Sequence, residues 1–517
     1  MTDLQEAIVD KLHLFWDQSS DQVTSNTNQS LEELLGENQS FSVFEVNLLV
    51  DHRNLEHAPV IYEQNATMPK LFGYTINAAS AADQTALAMN HQAGLLQKAN
   101  GGFLMLNIQA IIKEPEMWSH IKAALMSKRI SFEVPSSSSM VPYHLPDFPL
   151  NLTLVLVGQS QHFYALQELD SQFSRIFKVQ VEFEVELART IEHETTLAEH
   201  LAQEISDWDD LPVVASAYER LIEYASRMAE DKNRLYTNKA ILRDVLAEAN
   251  AYARAQGKEI VDREIIEEAI VQRDFHTGLM EDYYHRAITE QQVLISTEGK
   301  HVGMVNGLTV LTVGRISFGQ PVRITAIASP GDEGVVDIER EVDMAGPIHS
   351  KGMLILSGYL RGRYMKHKAM GFSGSIVMEQ NYNGVEGDSA SSAELLALLS
   401  SLANLPIRQD LAITGSINQF GEIQPIGGVN EKVEGFYKIC CSRGLTGKQG
   451  VIIPHANAGH LMLNADVRQA IEEGKFHIYS MNHIDDALSL LTDVSIKTAN
   501  QRIMLAIEKM NQKDEDE

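Results

Sequence analysis

Basic residues are scarce in this chain. Its 517 residues hold 42 Lys and Arg against 70 Asp and Glu, a formal net charge of −28. Such a surface repels phosphate backbones and anionic lipid, so neither nucleic acid nor membrane is an expected partner. Cysteine is scarcer still. Cys440 and Cys441 are the whole supply, and neighbours on a predicted helix point in different directions, so no disulfide framework exists and a reducing compartment is implied. No run of about 18 apolar residues occurs, so no transmembrane helix is expected. The first fifteen residues set Leu4, Ile8, Leu12 and Leu14 among acids, which resembles an amphipathic helix and not a signal peptide. A cytoplasmic location is expected. A phosphate-cradling Gly-x-x-x-x-Gly-Lys-Ser/Thr loop is also missing: Lys258, Lys300, Lys448 and Lys475 follow glycine, yet none precedes Ser or Thr.

What is present reads as a soluble multidomain protein of α/β and α+β type. Hydrophobic residues make up 44% and charged ones 22%, a globular balance, and the length suits several cores rather than one. Residues 1–188 open with the helical stretch and then alternate strand-like runs (Val43 to Val50, Gly102 to Leu106, Leu152 to Val157) with helical ones, an α/β pattern. Glu133 to Pro149 is rich in Ser and Pro and reads as an irregular connection. Over 189–300 the strand signals vanish. Leu242, Val245, Leu246, Ala249 and Ala253 recur at helical spacing after Thr237, a candidate cap, and Asp262 can cap a following helix. Residues 301–496 return to strands (Gly307 to Val313, Val322 to Ala328, Met353 to Leu356, Ser375 to Met378) with long helices after Ser389 and Asn430. The stretch 497–517 is a helical run ending in acids, expected to be a solvated end.

Two stretches could carry chemistry. Glu386-Gly387-Asp388-Ser389-Ala390-Ser391 leads into the apolar run Leu395 to Leu405, which places Ser389 in the first turn of a helix. Free N–H groups there can receive the oxyanion that forms when a hydroxyl attacks a carbonyl; the plainer alternative is that Asp388 or Ser389 only caps the helix. The string is not a Gly-x-Ser-x-Gly elbow, since Ser391 takes the last place. The second stretch runs from Ala412 to Ile417, turns at Asn418 to Gly421, returns over Glu422 to Ile426, and passes Gly427-Gly428 into a helix capped by Asn430, with Lys432 in its first turn. Cations are disfavoured at helix N-termini. That position, with any burial, would lower the ammonium pKa and supply a neutral amine as general base; otherwise Lys432 simply extends from a surface helix.

Taken together, Gly387-Asp388-Ser389-Ala390-Ser391 and Pro425-Ile426-Gly427-Gly428-Val429-Asn430-Glu431-Lys432 resemble the proteolytic domain of Lon proteases. The likeness extends from about His301 to about Leu491, through Val305-Asn306-Gly307-Leu308 and Gly346-Pro347-Ile348-His349-Ser350-Lys351-Gly352. It implies a Ser–Lys dyad in which Ser389 is the nucleophile and Lys432 the base. It also implies supporting roles: Thr414 as a hydrogen-bond partner that orients Lys432, Glu386 as an acid that pairs with Lys432 before substrate arrives, and Asp388 beside the nucleophile.

Ahead of this domain, Asp51 to about Arg189 resembles the later half of the AAA+ module of archaeal-type Lon enzymes. The carrying residues are Ala58-Pro59-Val60-Ile61-Tyr62-Glu63, Leu71-Phe72-Gly73 and Ala99-Asn100-Gly101-Gly102-Phe103-Leu104-Met105-Leu106. Asn107 takes the place of the family's Mg²⁺-holding Asp, and Ile108 the place of its water-activating acid; Phe173 to Val179, with Arg175, resembles the segment of the arginine finger. The resemblance implies a degenerate AAA+ module, a helical lid subdomain and a Lon-type proteolytic domain. ATP and Mg²⁺ are not expected as cofactors, nor is any metal. Expected partners are unfolded protein or peptide substrates and, as in Lon rings, five further copies of the chain in a homohexamer. Three alternatives stand beside this reading: an ATP-dependent protease that binds nucleotide through another loop, a proteolytically silent assembly or adaptor protein, and a serine hydrolase that uses one of the 18 histidines.

Overall fold

The structure is a computed structural model that describes residue 9 and residues 47–75, 90–133, 144–205, 211–314, 316–365 and 371–513. Apart from Val9, the expected N-terminal amphipathic segment lies outside the described residues, as does the last acidic stretch, 514–517. The chain divides into two compact units between Phe183 and Glu184.

The first unit is built on a parallel three-stranded sheet of β1 (Val60–Glu63), β2 (Phe103–Asn107) and β3 (Thr153–Val157), in that spatial order. Its core gathers Leu104, Leu106 and Leu154 from the strands with Leu96, Ile111, Met117, Ile121 and Phe173 from the surrounding helices. Two expectations fail here. Residues 47–50 carry no strand, and residues 43–46 lie outside the described residues. Glu133 to Pro149 is not irregular throughout, because Arg129–Glu133 and His144–Pro149 pair as antiparallel strands. Pro146 and Pro149 sit in a two-stranded ribbon, where a missing N–H is tolerated.

The second unit begins with a helical subdomain containing α1 (Ile191–Ile205), α2 (Ala215–Met228), α3 (Lys239–Ala255), α4 (Arg263–Thr277) and α5 (Leu279–Thr289). Leu242, Val245, Leu246, Ala249 and Ala253 line its core with Leu221, Ala225, Ile265 and Ile266, as their spacing predicts. Asp262 caps α4 by accepting from Ile265 N at 3.1 Å. The cap of α3 is Asn238, whose side chain accepts from Ala240 N, and not Thr237, which instead donates to Val185 O.

A mixed seven-stranded sheet organises the rest. Its strands are β4 (Met304–Val313), β5 (Ile316–Pro330), β6 (Gly334–Asp337), β7 (Phe372–Met378), β8 (Leu411–Ile413), β11 (Gly450–Pro454) and β12 (His477–Met481), with β9 (Ser416–Ile417) and β10 (Ile423–Gln424) forming a separate hairpin. The spatial order is β6-β7-β5-β4-β8-β11-β12. Side chains alternate across the sheet. Ile413 and Ile452 face a core shared with α7 (Ser391–Ala403), while Ala412, Val451 and Ile453 face a core shared with α8 (Val429–Arg443). These two helices therefore cover opposite faces of the sheet.

The run Met353 to Leu356 is not a strand. It lies inside α6 (Pro347–Tyr364), which buries Met353, Leu356, Tyr359 and Leu360 at helical spacing and starts with proline in its first turn. A four-residue apolar run fits either period. The tail is helical, α9 (Ile496–Lys513), but not a free solvated end: Ala499, Ile503 and Ile507, four residues apart, are buried in the core beside α7. Among the described residues no helix is long and apolar enough to cross a membrane.

Candidate active site

Strand β8 ends at Ile413, between α7 on one face and α8 on the other, and the chain beyond it joins the two predicted stretches. Thr414 N donates to Ile452 O at 3.1 Å, Gly415 N to Ser389 O at 2.8 Å, and Ser392 N to Gly415 O at 3.1 Å. The turn before α7 is thus stitched by backbone bonds to the chain just beyond the end of β8, an interior strand of the sheet. Side chains add two anchors. Ser416 Oγ donates to Asp388 Oδ2 at 2.7 Å, and Ile417 N donates to Ser391 Oγ at 3.2 Å.

Ser389 is half-buried and does not lie in the helix. Helix α7 begins at Ser391 with Ala390 as its cap residue and no side-chain capping bond, so neither Asp388 nor Ser389 is a helix cap. The polar groups of the turn are drawn instead to the β9–β10 hairpin. Ser391 N donates to Asp388 O and Ser392 N to Gly415 O, whereas the N–H groups of Ser389 and Ala390 enter no hydrogen bond among the described residues.

Helix α8 begins at Val429, and its cap residue is Gly428 in the left-handed region, φ 65°. Asn430 lies inside the helix and ties two distant backbone groups, donating to His460 O at 3.0 Å and accepting from Met462 N at 2.7 Å. The predicted cap is corrected accordingly: Asn430 has the right chemistry, but its side chain is committed elsewhere. Lys432 sits one turn in, as expected, and is 3% exposed, so it is not an extended surface lysine. Its Nζ lies 2.9 Å from Ser389 Oγ and 3.1 Å from Thr414 Oγ1.

Burial is what governs the amine. It lowers the Lys432 pKa to about 8, against the opposing pull of the Asp388 and Glu431 charges. Among the described residues Lys432 forms no ion pair within 4 Å. Thr414 touches both stretches. Its hydroxyl donates to Ser389 O at 3.2 Å, so a lone pair of Oγ1 is left to receive one N–H of Lys432.

Glu386 is placed otherwise than expected. Its Oε1 accepts from Ile348 N at 3.2 Å at the start of α6, and it does not pair with Lys432. The reason is local: Gly346, Ile348 and Glu386 are drawn together by the bridge between Ala345 and Val385. Sequence reading also missed Ser416, which holds Asp388; its only signal was a small polar residue in the hairpin strand. No described histidine bonds the candidate nucleophile. Among the described residues the hydroxyl of Ser389 bonds only Lys432, and the buried His349 faces Asp337 at 3.2 Å and Glu394 at 3.8 Å. In the first unit, Asn107 Oδ1 caps a short helix by accepting from Gln109 N at 2.9 Å, and Ile108 is buried.

Three family models match the chain in sequence: the LonB-like AAA domain over residues 56–184, the archaeal LonB AAA+ ATPase lid domain over 212–276, and the Lon protease (S16) C-terminal proteolytic domain over 295–493. A Lon protease homolog of Escherichia coli (strain K12) is 35% identical, the match covering 78% of this chain and 69% of the relative. A Lon protease homolog of Haemophilus influenzae is 34% identical over 77% of this chain and 66% of the relative. The archaeal Lon protease of Pyrococcus abyssi is 29% identical over 77% of this chain and 38% of its own length. The matched part of this chain thus spans about two thirds of the first two relatives and little more than a third of the last.

Proposed function

This chain belongs to the Lon protease family, whose members are serine peptidases, and from that premise we propose that it hydrolyses peptide bonds of unfolded proteins or peptides with a Ser389–Lys432 dyad and without ATP hydrolysis. The observation that carries the reading is the 2.9 Å approach of a buried amine, with no ion pair among the described residues, to a half-buried hydroxyl. In the first step Lys432 Nζ takes the proton of Ser389 as Oγ bonds to the scissile carbonyl carbon. The resulting oxyanion is within the province of the unengaged N–H groups of Ser389 and Ala390. Collapse breaks the C–N bond, and the leaving amine takes the proton from Lys432. Water then attacks the ester as Lys432 Nζ takes its proton, and that proton passes to Ser389 Oγ as the acyl–oxygen bond breaks.

The first unit is read as a degenerate ATPase module that serves assembly or gating. Asn107 cannot carry the charge that Mg²⁺ requires, and no Gly-x-x-x-x-Gly-Lys-Ser/Thr string occurs. Without that fuel, stably folded substrates should resist while unfolded chains yield. A cytoplasmic homohexamer with sites facing an inner chamber is part of the same reading. The direct test is cleavage of casein and of a fluorogenic peptide by wild type and Ser389→Ala, with and without ATP. Wild type should cleave both at a rate ATP leaves unchanged, and Ser389→Ala neither. Cleavage of a well-folded protein that requires ATP would remove the nucleotide-free reading.

The pH profile follows from the amine. Only neutral Lys432 can accept the proton, so kcat/KM should rise about tenfold per pH unit below pH 8 and level off above it. A profile already flat from pH 6 upward would contradict a base that titrates near 8.

A further inference from the structure

The helix that carries Lys432 is gripped by the lid subdomain. Past the end of α2, Glu230 holds a left-handed conformation, φ 50°, and its Oε2 accepts from Gly428 N at 3.4 Å, at the cap of α8. Arg227, in the last turn of α2, places its fork on Glu434 of α8, with Nη1 and Nη2 each 2.8 Å from a carboxylate oxygen. Nη1 also donates to Met462 O at 2.6 Å, and Glu434 Oε1 accepts from Asn464 N at 2.8 Å. Farther along α8, Lys438 Nζ meets Glu281 of α5 at 2.6 Å, and Arg443 donates to Ile288 O at 3.2 Å.

The central contact is buried and directional. The side chains of Arg227 and Glu434 are 20% and 9% exposed. Two parallel N–H···O bonds define an orientation as well as a distance, which a single point contact cannot. Glu434 lies two residues beyond Lys432, roughly 200° around the helix, so Lys432 reaches toward Ser389 while Glu434 reaches toward the lid. A rotation of α8 that follows Arg227 therefore moves the Lys432 amine by a similar arc. Productive geometry tolerates little of that, since displacement of a catalytic group by about 1 Å can cost about 10²-fold in rate.

We propose that the lid subdomain clamps the base: Arg227, acting through Glu434, is a positioning residue that sets the rotation of the Lys432 helix, and displacement of the lid withdraws the amine from Ser389. The inference rests on Lys432 being the base. It provides a route by which substrate or a neighbouring subunit pulling on the lid controls peptidase activity with no nucleotide.

The test uses the full chain and a fluorogenic peptide, with kcat and KM measured separately. Arg227→Met and Glu434→Gln should each lower kcat about tenfold or more and leave KM within about twofold, because the peptide need not touch the lid. Arg227→Lys, which keeps the charge and loses the fork, should fall between them and wild type. The amide of Glu434→Gln still accepts from Asn464 N, so that variant decides the matter if Arg227→Met does not fold, and Arg227→Lys decides it if neither does. Wild-type kcat in the folded variants, with Lys432→Arg inactive, would overturn the clamp and leave the dyad standing. Activity in Lys432→Arg would instead overturn the dyad itself.

Discussion

Lys432→Arg is expected to lower kcat on a fluorogenic peptide by about 10²–10⁴-fold, the range that a general base contributes. The substitution keeps the positive charge and removes the chemistry. A guanidinium holds its proton at any pH a protein survives and offers five donors with no acceptor, so Ser389 would face N–H groups where it needs a lone pair. The contact with Thr414 Oγ1, 3.1 Å from Nζ in the native chain, could still be made, so the loss would fall on proton transfer. Lys432→Met, which keeps a stem of similar length with no base, should be as inactive. Thermal unfolding of both variants checks that the fold is intact. An enzyme that used histidine, or one whose serine needed no base, would keep most of its activity in both.

A second large effect is expected at Gly319, far from Lys432 in sequence and in contact with its helix. A Cβ at Gly319 of β5 would stand 2.0 Å from Glu431 O and 2.6 Å from Lys432 N, and a Cβ at Gly435 would stand 2.0 Å from Gly319 O. These neighbours are backbone atoms that cannot rotate aside. Gly319→Ala must therefore lift α8 off the strand. Overpacking of this kind typically costs about 1–3 kcal/mol of stability, and a shift of the base by about 1 Å costs about 10²-fold in rate. The expected result is a lower unfolding temperature together with a loss of kcat of about 10²-fold. Gly362 in α6 is the control, because a Cβ there meets nothing within 4 Å; Gly362→Ala should be neutral or stabilising by up to about 1 kcal/mol. Equal effects at the two glycines would show that close packing of α8 on β5 does not hold the base.

Legibility of the chain depended on how local each signal was. The hairpin after Ala412, the cap at Asp262 and the apolar stripe from Leu242 to Ala253 were readable, since each rests on spacing within one or two turns. Errors arose where two local readings were equally good. Met353 to Leu356 fits a strand as well as a helix until Pro347 is taken as a helix start. Asn430 has the chemistry of a cap, but its side chain is engaged by His460 and Met462, about thirty positions on. The acidic end of the tail suits solvent, whereas Ala499, Ile503 and Ile507 ahead of it are a stripe four residues apart and are buried.

By itself the amino-acid sequence determined the family and which serine and lysine to compare, because a Gly-Asp-Ser-Ala-Ser turn and a Gly-Gly-Val-Asn-Glu-Lys helix start are short strings whose residue types reflect their local backbone. Only the tertiary structure decided that the amine is buried with no ion pair among the described residues, that Thr414 Oγ1 lies 3.1 Å from it, that Glu386 bonds Ile348 N instead, and that Arg227 of the lid pairs with Glu434 on its helix. The physical reason is range. A pKa lowered by burial, and an ion pair between residues 207 positions apart, arise from packing of distant segments, and no local run of residues encodes that packing.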